Sequence, residues 1–278
     1  MGLTIHYSFK SDTKSVKEIK RIIKQVHQRA LDLPFHSVTD IVDLKGDECD
    51  FEKNQNEDLR WMLIQASGYV RISRKDDSSQ WIRVAPKRVI GFTVVVGEGS
   101  EPLNFTFASY SKTVRYPQLS QFPWETRTYR VGKPEWSGYS FCKTQYASNR
   151  ECGGVENFLR CHVSAITLLE YAQTIPGLTL EINDEGKYGT SNYTDDWKVP
   201  NPVYYLHDAT HDIKALAEEV GEWNEMIAAF SGALKDQIAA RGENPKCLIS
   251  AIDSYPNREH LEAKGVEKNP ELRTGLGL

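Results

Sequence analysis

Residues 136–171 read WSGYSFCKTQYASNRECGGVENFLRCHVSAITLLEY. The spacing predicts an extended strand over 139–147. Ser140, Cys142, Thr144 and Tyr146 share one face of it, and Tyr139, Phe141, Lys143, Gln145 and Ala147 share the other. Neither face is cleanly apolar. A short polar loop with Asn149, Arg150 and Glu151 leads to Gly153-Gly154, after which residues 154–174 carry apolar groups at helical spacing. At about 100° per residue, Phe158, Ala165, Ile166 and Leu169 mark the middle of the apolar face. His162 falls among them, Cys161 sits at the edge, and Glu156, Arg160, Ser164 and Thr167 lie opposite. A strand and a helix joined by so short a loop pack against each other, which points to helices laid on a sheet.

The same alternation of periods extends outward in both directions. Residues 3–9 alternate as a strand, with Leu3, Ile5 and Tyr7 on one face. Ser11, Asp12 and Thr13 supply cap chemistry, and Val16, Ile19, Ile23, Val26, Ala30 and Leu33 then form one helical stripe that Pro34 ends. A second strand is expected at 38–44, a short helix at 59–66, and short strands at 69–73 and 81–85. The strongest strand pattern is 89–96, with 103–108 as its hairpin partner across a Gly-rich turn. Residues 113–138 read as an extended aromatic loop with one strand near 126–131. A strand at 178–182, a loop at 187–202 and a long helix from about 210 to 241 complete the pattern, and Gly242 stops that helix. Most strand connections are too short for parallel crossovers. The expected fold is therefore α+β: a mixed, mostly antiparallel sheet with three main helices on it. We expect one domain over 1–241, with a possible subdivision near 110–135, and a loosely attached tail over 242–278.

Composition narrows the function classes. The chain has 278 residues, 40% hydrophobic and 26% charged, with a net charge of -4. Bulk nucleic-acid binding is not expected from that balance. No apolar run approaches a bilayer span, and MGLTIHYSFK lacks an apolar signal core, so neither membrane insertion nor export is expected. The five cysteines are odd in number and irregularly spaced, with no Cys-x-x-Cys pair. That suits reduced thiols in a cytoplasmic protein better than a disulfide framework or a zinc ribbon. The spacing of His207 and His211 could suit a metal, but it falls at a helix start, where cap residues and acids are the simpler reading. No metal site is expected, and no cofactor is indicated.

Two constellations could carry chemistry. Helix N-termini hold anions through unpaired N–H groups, and glycine lets an anion approach closely. Lys143, Gln145, Arg150, Gly153 and Gly154 are therefore candidate contacts for a small anionic ligand. The alternative is a hydrolase or transferase in which Cys142 is the nucleophile and His162 the base. The simpler reading of a histidine on an apolar face is a neutral core residue hydrogen-bonded to backbone or a carboxylate.

The segments FCKTQYAS (141–148), GGVENFLRCH (153–162) and EVGEWNEMIAAF (219–230) together resemble an uncharacterised family of bacterial proteins of similar length. The resemblance implies a bacterial cytosolic protein and carries no activity. Glu218, Glu219 and Glu222 resemble the Glu-Glu-x-x-Glu element of MazG-type nucleotide pyrophosphohydrolases. That likeness covers one helix segment in a strand-rich chain, and no Glu-x-x-Asp helix follows. The leading expectation is a module that binds a small anionic ligand or a protein partner at the 142–162 strand–loop–helix. A subunit of a larger bacterial assembly, with 197–205 or the tail as its contact surface, is a further alternative.

Overall fold

The structure is a computed structural model and describes residues 3–73, 79–117, 126–133, 135–194 and 204–241. The fold is α+β. Its centre is a nine-stranded, antiparallel sheet. Strand β1 (Thr4–Ser11) lies between β10 (Ser137–Lys143) and β11 (Leu178–Asp184). Outward from β10 come β7 (Leu103–Ser109) and β6 (Arg88–Val95). The latter is edged by β2 (Ser37–Val38) and β3 (Val42–Lys45). Outward from β11 come β12 (Ser191–Thr194) and β13 (Tyr204–His207). Two hairpins stand apart from this sheet: β4 (Gly68–Ser73) with β5 (Ser79–Val84), and β8 (Thr113–Pro117) with β9 (Thr126–Arg130).

Two-residue periodicity decides what each face does. On β1, Ile5, Tyr7 and Phe9 point into the main core, as does Leu3 just before it. That core also takes Ile90, Phe92 and Val94 from β6, and Leu103, Phe105 and Phe107 from β7. Three helices close it. Helix α1 (Val16–Leu31) buries Ile19, Ile22, Ile23, Val26 and Ala30, the stripe read from the sequence with Ile22 added. Helix α3 (Gly154–Gln173) buries Phe158, Cys161, His162, Ala165, Ile166 and Leu169 among others. Helix α4 (Ile213–Ala240) adds Leu216 and Val220. Asp212 caps it by accepting from Lys214 N and Ala215 N at 2.9 and 3.1 Å.

The other face of the sheet is covered only in part. Helix α2 (Glu57–Ala66) lies over β7 and β10, burying Met62, Leu63 and Ala66 against Val89 and Ala108. The hairpins β4–β5 and β8–β9 share a third small core of Val70, Ile72, Ile82, Val84 and Val131.

Some expected elements differ. The strand expected over 139–147 ends at Lys143, and Gln145–Ser148 forms a 3-10 turn instead. The segment 38–44 splits into β2 and β3, both paired to β6. Strand β8 was hidden in an aromatic-rich stretch, and β12 in a polar one. The tail over 242–278 lies outside the described residues, as does most of 197–205. Among the described residues, no helix is long and apolar enough to cross a membrane.

Candidate functional site

Helix α3 packs against β11 and the 3-10 turn Gln145–Ser148 that follows β10, and the polar residues of this stretch are spent on structure. Gly153 and Gly154 have φ of 107° and 71°, the left-handed region that glycine adopts without strain. Their N–H groups already donate to Arg150 and Asn149 carbonyls at 3.1 and 2.9 Å. They close the 3-10 turn Arg150–Cys152 and leave no amide pair for an anion. Lys143 lies on the sheet face opposite Cys142, because Cys142 belongs to the α3-side core. The Lys143 backbone pairs with Glu101 in both directions. Arg150 is exposed. Gln145 is buried, and its Oε1 has no partner among the described residues. The expected anion cradle of Lys143, Gln145, Arg150, Gly153 and Gly154 is therefore not assembled in this geometry.

Cys142 and His162 do not bond to each other either. The Cys142 thiol donates to the Glu101 carbonyl at 3.0 Å. Burial, reinforced by the nearby Glu101 charge, pushes this thiol well above its ordinary range, away from a thiolate. His162 is fully buried with both ring nitrogens engaged. Nε2 lies 2.9 Å from Asp184 Oδ1, and Nδ1 lies 2.7 Å from Thr144 Oγ1. A carboxylate only accepts, so Nε2–H donates to it, and the Thr144 hydroxyl completes the ring's bonding at Nδ1. Asp184 also accepts from Gly186 N and Gly189 N, each at 2.8 Å, and from Tyr188 N at 3.0 Å. Burial raises this carboxyl, but the His162 ring and the Gly189 and Gly186 amides outweigh it and hold the pKa below the ordinary value. A Cβ on Gly186 would stand 2.8 Å from His162 Nε2, so that turn can approach the ring only without a side chain. Thr144, His162 and Asp184 thus tie the end of β10, α3 and the end of β11 into one satisfied internal network.

The open geometry lies on the other side of the same strands. Here the β7–β10 ladder is held at its ends, by the Ser137–Ala108 pair and by Glu101 N to Lys143 O at 2.8 Å. Between them, side chains complete it. Tyr7 Oη donates to Asn104 O at 2.8 Å. From α2, Gln65 Nε2 donates to Phe141 O at 3.4 Å, while Gln65 Oε1 accepts from Asn104 Nδ2 at 2.7 Å and from Ser140 Oγ. Gln65 thereby pins α2 to the sheet. Trp61, one helical turn earlier on the same side of α2, meets Phe141 edge to face, with ring centroids 6.1 Å apart at 88°.

That pinning leaves the β1, β10 and β11 part of the face uncovered beside α2. A groove of about 730 Å³ opens there, within the usual range of ligand pockets. Register fixes its floor. Glu181, Ser8 and Tyr139 stand side by side across the three strands, and Thr179, Lys10 and Ser137 form the next row. Trp61, Phe141, Tyr69 and Tyr110 supply aromatic walls, and Lys133 joins Lys10 as a second cation. Trp61, Tyr69 and Tyr139 are 39%, 49% and 57% exposed, so this aromatic surface is open rather than packed away. Neither Lys10 nor Lys133 forms an ion pair among the described residues. Among the described residues, no cluster of His, Cys, Asp and Glu is arranged to hold a metal.

Sequence reading missed this groove because its residues come from five strands and one helix spread between Ser8 and Glu181. One signal did point to it: Tyr139, Phe141 and Lys143 stand together on a strand face that is neither core nor plain polar surface. Comparison with protein-family models, with curated proteins and with solved structures finds no match to the chain.

Proposed function

We propose that the protein is a binding module whose ligand is a small anion with a planar apolar part, held in the groove over β1, β10 and β11. The observation that carries this reading is the pair Lys10 and Lys133, without ionic partners among the described residues, beside an aromatic-walled cavity. Rings stack on or pack edge-on against Trp61, Tyr69 and Tyr139. An acidic group on the ligand meets the two ammonium groups, and the aromatic surroundings strengthen that attraction relative to open water. Glu181 and the Ser8 hydroxyl are left to accept hydrogen bonds from the ligand, which gives the site polarity across its floor. This reading keeps the anionic ligand expected from the sequence and moves it to the opposite face of β10.

The test is titration with 8-anilinonaphthalene-1-sulfonate, a planar aromatic anion, followed by its fluorescence. We expect saturable binding to the folded protein, weakened about tenfold by Lys10→Ala with Lys133→Ala, in the range for charge-assisted contacts. The melting temperature should be unchanged, since both ammonium groups are exposed. Binding that ignores both lysines, or Trp61→Ala, would remove the groove as the site.

A further inference from the structure

The groove does not end at Tyr69. This residue lines the cavity and is also the first exposed side chain of the β4–β5 hairpin. On that hairpin Val70, Ile72, Ile82 and Val84 face inward to the third core. Alternation therefore turns Tyr69, Arg71, Trp81 and Arg83 outward together. The register sets Arg71 directly opposite Trp81, and Tyr69 opposite Arg83. Trp81 is 62% exposed, the most exposed large aromatic among the described residues. Arg83 is already occupied. It pairs with Asp50 and Glu52 at 2.8 and 2.6 Å and lies 4.4 Å over the Phe51 ring, which anchors the hairpin. Arg71 is exposed and forms no ion pair among the described residues.

Charge is uneven along the chain in the same sense. Residues 68–133 hold eleven lysines and arginines against five aspartates and glutamates, within a chain of net charge -4. Exposed aromatics beside Arg71, which forms no ion pair among the described residues, on a surface that shares Tyr69 with the groove, suit a polyanion whose repeating unit carries a planar ring. Base stacking on aromatic side chains with cations along the backbone is how single strands are held without sequence preference. A duplex hides its base faces and cannot use Trp81 and Tyr69 in this way.

We propose that the groove and the outer face of the β4–β5 hairpin together bind single-stranded nucleic acid of a few nucleotides. Bases would stack on Trp81, Tyr69 and Trp61, and phosphates would meet Arg71, Lys10 and Lys133. This rests on the groove reading above and extends it to a polymeric ligand. The overall acidic balance, which argues against bulk nucleic-acid binding, concerns the whole surface and not this stretch.

The test is fluorescence anisotropy of labelled oligothymidylate and oligouridylate of about twelve nucleotides, a length within the usual site sizes of such surfaces, with the full chain at low salt. A labelled duplex of equal length is the comparison. We expect the single strands to bind several-fold more tightly than the duplex and affinity to fall as salt rises. Trp81→Ala and Arg71→Ala should each weaken binding about tenfold, in the range for loss of one stacked base. Both side chains are exposed, so the fold should be unaffected, and circular dichroism checks that. A preference between the two oligomers identifies DNA or RNA as the natural strand. Duplex bound as tightly as single strand, or single-strand binding unchanged by Trp81→Ala, would overturn the proposal. Loss of oligonucleotide binding altogether, with the sulfonate probe still bound, would overturn this extension alone, and loss of both would remove the groove reading as well. Self-association that Trp81→Ala abolishes, without oligonucleotide binding, would mark the hairpin as a protein contact and equally overturn it.

Discussion

The two faces of β1 and β10 share a backbone but do opposite work. Toward α3, Ile5, Tyr7, Cys142 and Phe158 fill a core in which even the polar members, His162 and Asp184, are fully buried and bonded. Toward α2, Ser8, Lys10, Tyr139 and Phe141 stand in a groove whose lysines form no ion pair among the described residues and whose Tyr139 ring is exposed. The ionisable groups divide the same way. On the closed face they find partners inside the protein, which is what burial demands. On the open face Lys10 and Lys133 form no ion pair among the described residues, and only His6 is met, by Glu185 at 3.7 Å and by the Tyr139 hydroxyl at 3.4 Å.

The largest expected effect tests the closed face. Asp184→Ala removes the acceptor for His162 Nε2 and for three backbone N–H groups at once. We expect a loss of about 3–5 kcal/mol, the range for breaking a buried pair from one side, measured by urea unfolding. Its pH dependence has a definite sign. The folded carboxyl is depressed below its ordinary value, so it contributes stability above the unfolded pKa, and that stability is lost as pH falls through the folded one. The wild-type protein should lose this contribution only in acid, and the variant should lack it throughout. Sulfonate binding at temperatures where the variant is folded should stay within twofold, because Asp184 does not line the groove. If ligand affinity fell more than stability, the two faces would not be separable in the way described.

How much of this contrast could be read from the chain depends on which side of β10 is in question. Leu3, Ile5 and Tyr7 alternate, and Ile19, Ile23 and Val26 recur at helical spacing, so the core face and its helices are legible in short windows. The strand stop at Lys143 was not legible, because Thr144 and Gln145 extend the alternation until His162 captures Thr144 Oγ1. The pairing of His162 with Asp184 joins residues 22 positions apart, and periodicity shows that the ring needs a partner without naming it. The groove is less legible still. Lys10, Trp61, Tyr139 and Glu181 each look like ordinary surface residues, and only strand order brings them together.

An intermediate effect is expected where the two faces meet. Gln65 comes from the open side but completes the sheet itself, bonding Phe141 O, Asn104 Nδ2 and Ser140 Oγ. Gln65→Leu keeps the bulk and strands those groups in the interior. A loss of about 1–3 kcal/mol follows from leaving buried polar groups unsatisfied. Ligand binding should weaken too, since α2 is then less firmly held and Trp61 rides on it. A variant that kept wild-type stability would mean that water enters the gap between β7 and β10 and replaces the amide.

The smallest effect on stability should accompany one of the larger effects on binding, and Tyr139→Ala is the place to look. The ring is 57% exposed, and its hydroxyl makes one long contact with His6 Nδ1 at 3.4 Å. Burial of so little of the ring contributes little to the fold, and a surface substitution of this kind costs roughly 0.5 kcal/mol or less. Its neighbours in the row, Ser8 and Glu181, remain paired across the backbone whatever side chain stands at 139. Yet Tyr139 lines the β10 side of the groove floor, so a planar ligand in the groove would lose an aromatic contact. We expect an unfolding midpoint within error of the wild type and sulfonate binding weakened about fivefold to tenfold, the yield of one aromatic contact. The converse result, a destabilised protein with ligand affinity intact, would place Tyr139 in the core's account rather than the groove's. It would also remove the distinction drawn between the two faces of β10.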